Sequence, residues 1–171
     1  MKTIIISSSL SNKSKSFLLC QKVHKELQKK KIQSEIIDAR NIELKPCHLP
    51  KSVSMLEATS KIKNADNIII GMGIHNYSIS DSLKIMLDTC FEDVEGKFFG
   101  IVCSAGGEKS YLATMHLNQM CMNQWKMIQL PRIVFATGKD FDKNKIISKD
   151  LIKWIELFTS EFIDIGEKLK N

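Results

Sequence analysis

A short run of isoleucines near the amino terminus passes into a serine-rich segment and then into an amphipathic one. Ile4-Ile5-Ile6 is wholly apolar, which is typical of a strand covered on both faces in a parallel sheet. The next segment, 7–16, is rich in serine. Beyond it, apolar residues recur at four-residue spacing, as on one face of a helix, at Leu19, Val23 and Leu27. A strand, a polar loop and a helix in this order predict the first unit of an α/β fold.

This first unit can also hold an anion. Backbone N–H groups in the first turn of a helix are unpaired and carry the positive end of the macrodipole, so a phosphate gains hydrogen bonds there. Serine hydroxyls can donate more. Alternatively, the serines serve only as turn residues and as the N-cap of the helix. Because the loop has neither GxxxxGK[ST] nor GxGxxG, a P-loop site and a Rossmann dinucleotide site are both disfavoured.

Apolar runs and helix-like segments alternate along the rest of the chain. Strands are predicted at about 3–7, 32–38, 67–71, 98–103 and 133–135. Helices are predicted at about 14–31, 55–64, 83–90, 109–123 and 151–169. This alternation predicts an α/β fold with a doubly wound, five-stranded parallel sheet of order 2-1-3-4-5 and helices on both faces. No linker or repeat divides the chain, so residues 1–171 are expected to form one domain.

Composition argues against several classes of protein. No apolar run is long enough to span a membrane, and Met1-Lys2 leads straight into the first strand without a signal peptide, so a cytoplasmic protein is expected. The net charge of +6 comes mainly from lysines spread over helical segments, which favours solvated surfaces over a nucleic-acid site. The five cysteines include no CxxC pair, so no metal site is predicted.

Three polar loops follow the first, third and fourth predicted strands, at 7–16, 71–80 and 104–109. In a doubly wound parallel sheet, ligands bind at the carboxyl ends of the strands, where these loops lie. All three loops are rich in serine, glycine or asparagine, and small residues allow a ligand to approach the backbone closely. The sequence therefore predicts one ligand site at this edge of the sheet.

The order and spacing of these loops resemble those of the NAD(P)H-dependent FMN reductase family, which has a flavodoxin-like fold. SSLSNKSKSFLL resembles the GSxRxxSxN phosphate loop of that family. GIHNYSISDSLKIMLDTC resembles its PEYNxxxPxxLKxxxDW motif, most clearly at Asn76, Leu83, Lys84 and Asp88. GIVCSAGGEKSYLATMHLNQMC is similar to the family's next strand, its GG loop and the helix that follows.

The resemblance implies FMN as the cofactor and NADPH or NADH as the co-substrate. It implies a phosphate loop containing Ser9, Ser11, Ser14 and Ser16. It implies that the flavin ring is flanked on one side by Ile74, His75, Asn76 and Tyr77. It implies that the other edge of the ring is flanked by Ser104, Ala105, Gly106 and Gly107.

This chain also departs from the family pattern. Ser8-Ser9 stands in place of Gly-Ser, and Gly73-Ile74-His75 stands in place of Pro-Glu-Tyr. Ser11 stands where the family usually has an arginine, so a neutral hydrogen bond replaces a charge-assisted one. Lys13 or Lys15 could supply the missing positive charge.

The implied activity is transfer of hydride from NAD(P)H through FMN to a second small-molecule acceptor: a quinone, an azo compound, a metal oxyanion or free flavin. Hydride transfer needs no side-chain acid or base, so no catalytic side chain is predicted. The alternatives are a flavodoxin-like electron carrier or FMN-binding module without reductase activity, and a chain that keeps only the fold. Flavodoxins are typically acidic, whereas this chain is basic.

The resemblance also implies a homodimer or homotetramer. A group of methionine and leucine residues in the fourth predicted helix could form the contact between subunits, or could belong to the core: Leu112, Met115, Leu117, Met120 and Met122.

Overall fold

The computed structural model describes residues 1–169. Its strands are β1 (Lys2–Ser7), β2 (Gln33–Asp38), β3 (Asn67–Gly73), β4 (Phe98–Ser104), β5 (Ile128–Gln129), β6 (Val134–Ala136), β7 (Phe141–Asp142) and β8 (Lys145–Ile146). Its α-helices are α1 (Lys15–Lys29), α2 (Val53–Lys63), α3 (Asp81–Cys90), α4 (Thr114–Trp125) and α5 (Lys149–Lys168). Short 3-10 turns occupy Ala39–Asn41, Glu108–Ala113 and Gly138–Asp140. Among these helices, none is long and apolar enough to cross a membrane.

The main sheet is parallel and has the predicted order, β2-β1-β3-β4-β5. Two short strands fill its fifth position. β5 pairs with β4 at Phe98 and Phe99, and β6 pairs with β4 from Val102 to Ser104. The sequence predicted only the second of these, one residue too early. Pro131, which has no N–H to donate to a ladder, lies in the gap between the two strands.

The isoleucine side chains of β1 pack on both faces of the sheet. Because successive side chains of a strand point to opposite faces, Ile4 and Ile6 join the cluster that contains buried residues of α2, α3 and α4. Ile5 joins the cluster that contains buried residues of α1 and α5. All three isoleucines are fully buried, and each contributes about 1.5–3 kcal/mol on transfer from water. Helices therefore cover both faces, as predicted.

Gly100, in the middle of β4, lets α5 lie close against the sheet. A Cβ at this position would lie 2.7 Å from Phe158 Cζ and 3.2 Å from Phe162 Cδ2. The two phenylalanine rings, with centroids 6.0 Å apart, fill the space that a side chain would need. The bare backbone of Gly100 thus fixes how near α5 sits to the sheet.

Two further segments differ from the expectation. The helix predicted at 109–123 begins as the 3-10 turn Glu108–Ala113 and becomes α-helical only at Thr114, as is common at the first turn of a helix. The small antiparallel pair formed by β7 and β8 was not predicted, since each strand has only two residues and no alternating pattern.

Candidate functional site

The serine-rich loop runs from the end of β1 to the start of α1 and is shaped by its own hydroxyl groups. Ser9 Oγ accepts the Ser11 amide at 3.3 Å, and Ser11 Oγ accepts the Lys13 amide at 3.2 Å. Ser14 is the N-cap of α1: its Oγ accepts the Phe17 amide at 3.0 Å and lies 3.0 Å from Ser16 Oγ. The oxygens of these hydroxyl groups therefore accept from the loop's own backbone, whereas the O–H donors of Ser9 and Ser11 stay free within the described residues.

The amides of the same loop remain available to a ligand. Over residues 1–169, the N–H groups of Ser9, Leu10 and Asn12 make no hydrogen bond. The first-turn amides of α1 before Phe17 also lack intrahelical acceptors, as at every helix start. The side chain of Ser7, at the end of β1, is fully buried, and its Oγ has no hydrogen-bond partner in the described structure. The donor set suits an anion.

The second loop follows β3 and forms a tight two-residue turn. His75 and Ser78 exchange backbone hydrogen bonds of 3.0 and 2.8 Å, and Asn76 and Tyr77 between them have φ values of 47° and 61°. Positive φ at both central positions is the geometry that fits a hairpin turn, although it strains a tyrosine. Tyr77 is 64% exposed, so its ring stands at the surface of the site.

The third loop follows β4 and carries only small side chains or none. Ser104 and Ala105 are buried, and Gly106 and Gly107 are exposed. A Cβ at either glycine would meet no atom within 4 Å. The amides of both glycines make no hydrogen bond in the described part of the chain, so this loop offers open space next to free backbone donors.

Backbone contacts hold the second and third loops together. The Ile74 amide donates to Ser104 O at 2.9 Å, and the Ala105 amide donates to Ala136 O at 2.9 Å. A cavity of about 590 Å³ lies between the two loops. Of the residues named from the sequence, it is lined by Ile74, Asn76, Tyr77, Gly106 and Gly107.

The first loop joins the same edge of the sheet. The Ser8 amide donates to Gly71 O at 3.0 Å, and Ser82 Oγ, in the first turn of α3, donates to Ser8 O at 2.6 Å. The structure therefore gathers all three predicted loops at the carboxyl ends of β1, β3 and β4. Ser14 and Ser16 lie buried beneath the first loop, whereas Ser11 and His75 are exposed.

A fourth loop, which was not predicted from the sequence, completes this edge. Gly138 follows β6, and a Cβ there would lie 3.5 Å from Lys15 Nζ, whose ammonium is also 5.5 Å from the centroid of the Phe141 ring. Lys139 pairs with Glu108 of the third loop. The sequence pattern could have indicated this loop, because it follows the carboxyl end of a predicted strand, as the other three loops do.

Two lysines, Lys13 and Lys15, lie on the first loop and at the start of α1, and the Arg40 guanidinium is 4.2 Å from the Phe17 ring in the first turn of α1. Neither Lys13 nor Lys15 forms an ion pair within residues 1–169, and Lys15 is the less exposed of the two. Cys103, at the end of β4, is fully buried, and burial raises the pKa of its thiol to about 12. That thiol is therefore protonated and unsuited to act as a nucleophile. No cluster of metal-binding side chains occurs in the described residues.

Comparison with solved structures finds oxidoreductases of similar fold. The chain is similar to an NADH:FMN oxidoreductase (EmoB, apo form), with a TM-score of 0.81 and 18% identity, over 94% of this chain and 87% of that one. It is similar to the flavoenzyme NAD(P)H:(acceptor) oxidoreductase FerB from Paracoccus denitrificans, with a TM-score of 0.81 and 15% identity, over 98% and 97% of the two chains.

A flavodoxin from the domain Archaea is similar over the full length of both chains, with a TM-score of 0.65 and 16% identity. These likenesses show the flavodoxin-like fold. A search among curated protein sequences finds no match. The model of the NADPH-dependent FMN reductase family matches residues 1–142, which carry all three predicted loops. The chain therefore belongs to the NADPH-dependent FMN reductase family and is an FMN-dependent enzyme of the reductase type, with NAD(P)H as co-substrate.

Proposed function

We propose that this chain takes electrons from NAD(P)H and delivers them, through FMN held by the three loops, to a second acceptor: a quinone, an azo compound, a metal oxyanion or free flavin. The observation that carries the proposal is the open cavity between Ile74–Tyr77 and the Gly106-Gly107 backbone, at the same edge of the sheet as the free amides that precede α1. The donors and the space present there fit a flavin phosphate.

The serine-rich loop would hold the phosphate of FMN. The free amides of Ser9, Leu10 and Asn12, with the first turn of α1, supply hydrogen-bond donors and the positive end of the helix dipole. Ser11 already caps the Lys13 amide, so the loop keeps its shape without the family arginine. Lys15, which faces no carboxylate within 4 Å in the part of the chain described, would supply charge from the side of Gly138.

The second and third loops would position the ring system. The turn at Asn76 and Tyr77 forms one wall, and the two glycines form the other, where the lack of side chains lets the backbone approach a planar ring. The free amides of Gly106 and Gly107 could stabilise negative charge on a reduced ring. Bound FMN would supply the hydride chemistry, and the exposed Tyr77 ring at the wall of the cavity would contact a second substrate.

The test is a set of steady-state assays with NADPH or NADH as donor and one acceptor at a time: menadione, an azo dye, chromate and free FMN. We expect at least one acceptor to accelerate oxidation of the reduced nucleotide by the FMN-loaded protein. If the bound flavin is not reduced by either nucleotide, while a reduced protein partner can reduce it, the chain is an electron carrier and the proposal is wrong.

We also propose that the chain forms a homodimer through the outer face of α4 and the turn before it. Leu117 is fully buried and belongs to the core, but Leu112, Met115 and Met122 are at least half exposed. Exposed methionine and leucine side chains on one face are typical of subunit contacts. Sedimentation equilibrium should show a dimer, and a monomer at every concentration tested would refute this proposal.

A further inference from the structure

A second cavity, of about 490 Å³, lies between β6, the start of α5 and the 3-10 turn before α4. Three aromatic side chains, Tyr111, Phe135 and Trp154, contribute to its walls. Tyr111 and Phe135 meet edge to face, with ring centroids 5.2 Å apart and an interplanar angle of 73°. The volume falls within the range of small-molecule sites, and no residue that lines the cavity of the flavin loops lines this one.

Contacts with neighbouring residues hold the Trp154 ring in place. Its indole N–H donates to Ile133 O at 2.9 Å, and the Arg132 guanidinium lies 4.2 Å from the centroid of its ring. Arg132 is fixed in turn by two hydrogen bonds of 2.7 Å to Glu161. An aromatic wall fixed in this way is preorganised, so a ligand would lose little free energy in ordering it.

The cavity is lined by two carboxylates with free acceptor oxygens, together with the hydroxyl groups of a tyrosine and a serine. Asp140 Oδ2 accepts from the Thr137 amide at 2.7 Å, while Oδ1 makes no hydrogen bond within residues 1–169. Asp150 has neither a hydrogen bond nor an ion pair in the same part of the chain. The ammonium of Lys139, which also lines the cavity, is already paired with Glu108. A bound cation would therefore meet carboxylates, and an anion would be repelled by them.

We propose that this cavity binds an organic cation with a planar aromatic body, which the three rings contact and the two carboxylates neutralise. Aromatic faces and carboxylates together favour cations, since the negative face of each ring adds to the attraction of the carboxylates. Asp150 and Trp154 lie outside residues 1–142, which the family model matches. Tyr111, Phe135 and Asp140 lie within those residues, so the cavity is formed jointly by the matched part of the chain and by the start of α5.

The test is isothermal titration calorimetry of the full-length, FMN-loaded protein without reduced nucleotide. The probe is N-methylquinolinium, and the comparison ligands are the uncharged N-methylquinolinone and the anionic 2-naphthalenesulfonate. We expect saturable binding of the cation to one site, with affinity at least about threefold higher than for the uncharged analogue and no binding of the anion. Because no turnover is involved, the result does not depend on which acceptor the enzyme uses.

Variants connect the binding to this cavity. Asp150→Asn and Trp154→Leu should each weaken binding of the probe about three- to fivefold. The matched controls, Asp142→Asn at the exposed end of β7 and Trp125→Phe beside Phe91, should leave it unchanged. If Trp154→Leu does not fold, judged by circular dichroism, Tyr111→Leu replaces it. Equal binding of the charged and uncharged ligands, equal effects of the two aspartate variants, or no saturable binding would each overturn the proposal.

Discussion

Replacing Asn12 with proline would remove one backbone donor from the serine-rich loop while leaving the fold intact. Asn12 follows Ser11 in a turn that is closed by the Ser14 amide donating to Ser11 O at 3.2 Å. Its φ is not positive, and the second position of such a turn is where proline is favoured. Because the Asn12 amide has no acceptor in residues 1–169, the substitution breaks no intrachain hydrogen bond. The free energy of unfolding should therefore change by less than about 0.5 kcal/mol.

The effect on the cofactor should be much larger. A hydrogen bond to a charged group contributes about 1.5–3 kcal/mol, so loss of one amide that binds the phosphate should raise the Kd for FMN about 10- to 150-fold. Riboflavin lacks the phosphate, and its Kd should not change. Titration followed by quenching of flavin fluorescence measures both constants in the apoprotein, and urea denaturation measures stability.

Asn12→Ala is the matched control, because it removes the same side chain and keeps the N–H. Its Kd for FMN should equal that of the wild type. An Asn12→Pro variant that binds FMN as tightly as the wild type, or whose Kd values for FMN and riboflavin rise by the same factor, would show that the Asn12 amide does not bind the phosphate.

Four further perturbations test other parts of the account. Gly106→Val should keep wild-type stability in urea, since a Cβ meets no atom within 4 Å, but should raise the Kd for FMN roughly tenfold by filling the cavity. Lys97→Met should lower the free energy of unfolding by about 1–3 kcal/mol, because the ammonium donates to three carbonyls at the end of α2; an unchanged urea midpoint would contradict this. Pairing with Arg132 holds the pKa of Glu161 below 4.5, so the pair stabilises the fold above that pH and its contribution is lost as the pH falls through the lowered pKa. Glu161→Gln should therefore lower the free energy of unfolding by less than about 1 kcal/mol at neutral pH. In urea titrations at acidic pH, the difference between this variant and the wild type should vanish. Met115→Glu should shift the sedimentation equilibrium to monomer, whereas Leu157→Glu, also exposed but on α5 across the sheet from α4, should not.

The sheet and the edge that carries the site were predictable, since the relevant signals are local. A wholly apolar run such as Ile68–Ile70 can be stable only when both faces are covered, and short polar loops after parallel strands must meet at one edge. The position of Gly106 and Gly107 beside that edge follows from the same argument. The family resemblance then connected the loops to FMN, and the match over residues 1–142 confirmed the family.

The features that the sequence did not predict depend on contacts between distant parts of the chain. The Lys139–Glu108 ion pair and the approach of Lys15 to Gly138 join segments that have no common pattern in the sequence. The two-residue β5 is a strand only because β4 lies beside it, and no local preference marks it. The cavity beside Trp154 depends on how α5 lies against β6, which side-chain packing decides.

The most direct test of the central claim is the visible absorption spectrum of the purified protein, recorded under anaerobic conditions before and after addition of FMN and then of NADPH or NADH. We expect the protein to retain flavin absorption after free FMN has been removed by gel filtration, and reduced nucleotide to bleach it. A protein that stays colourless after FMN is added, or a bound flavin that neither nucleotide reduces, would contradict the claim.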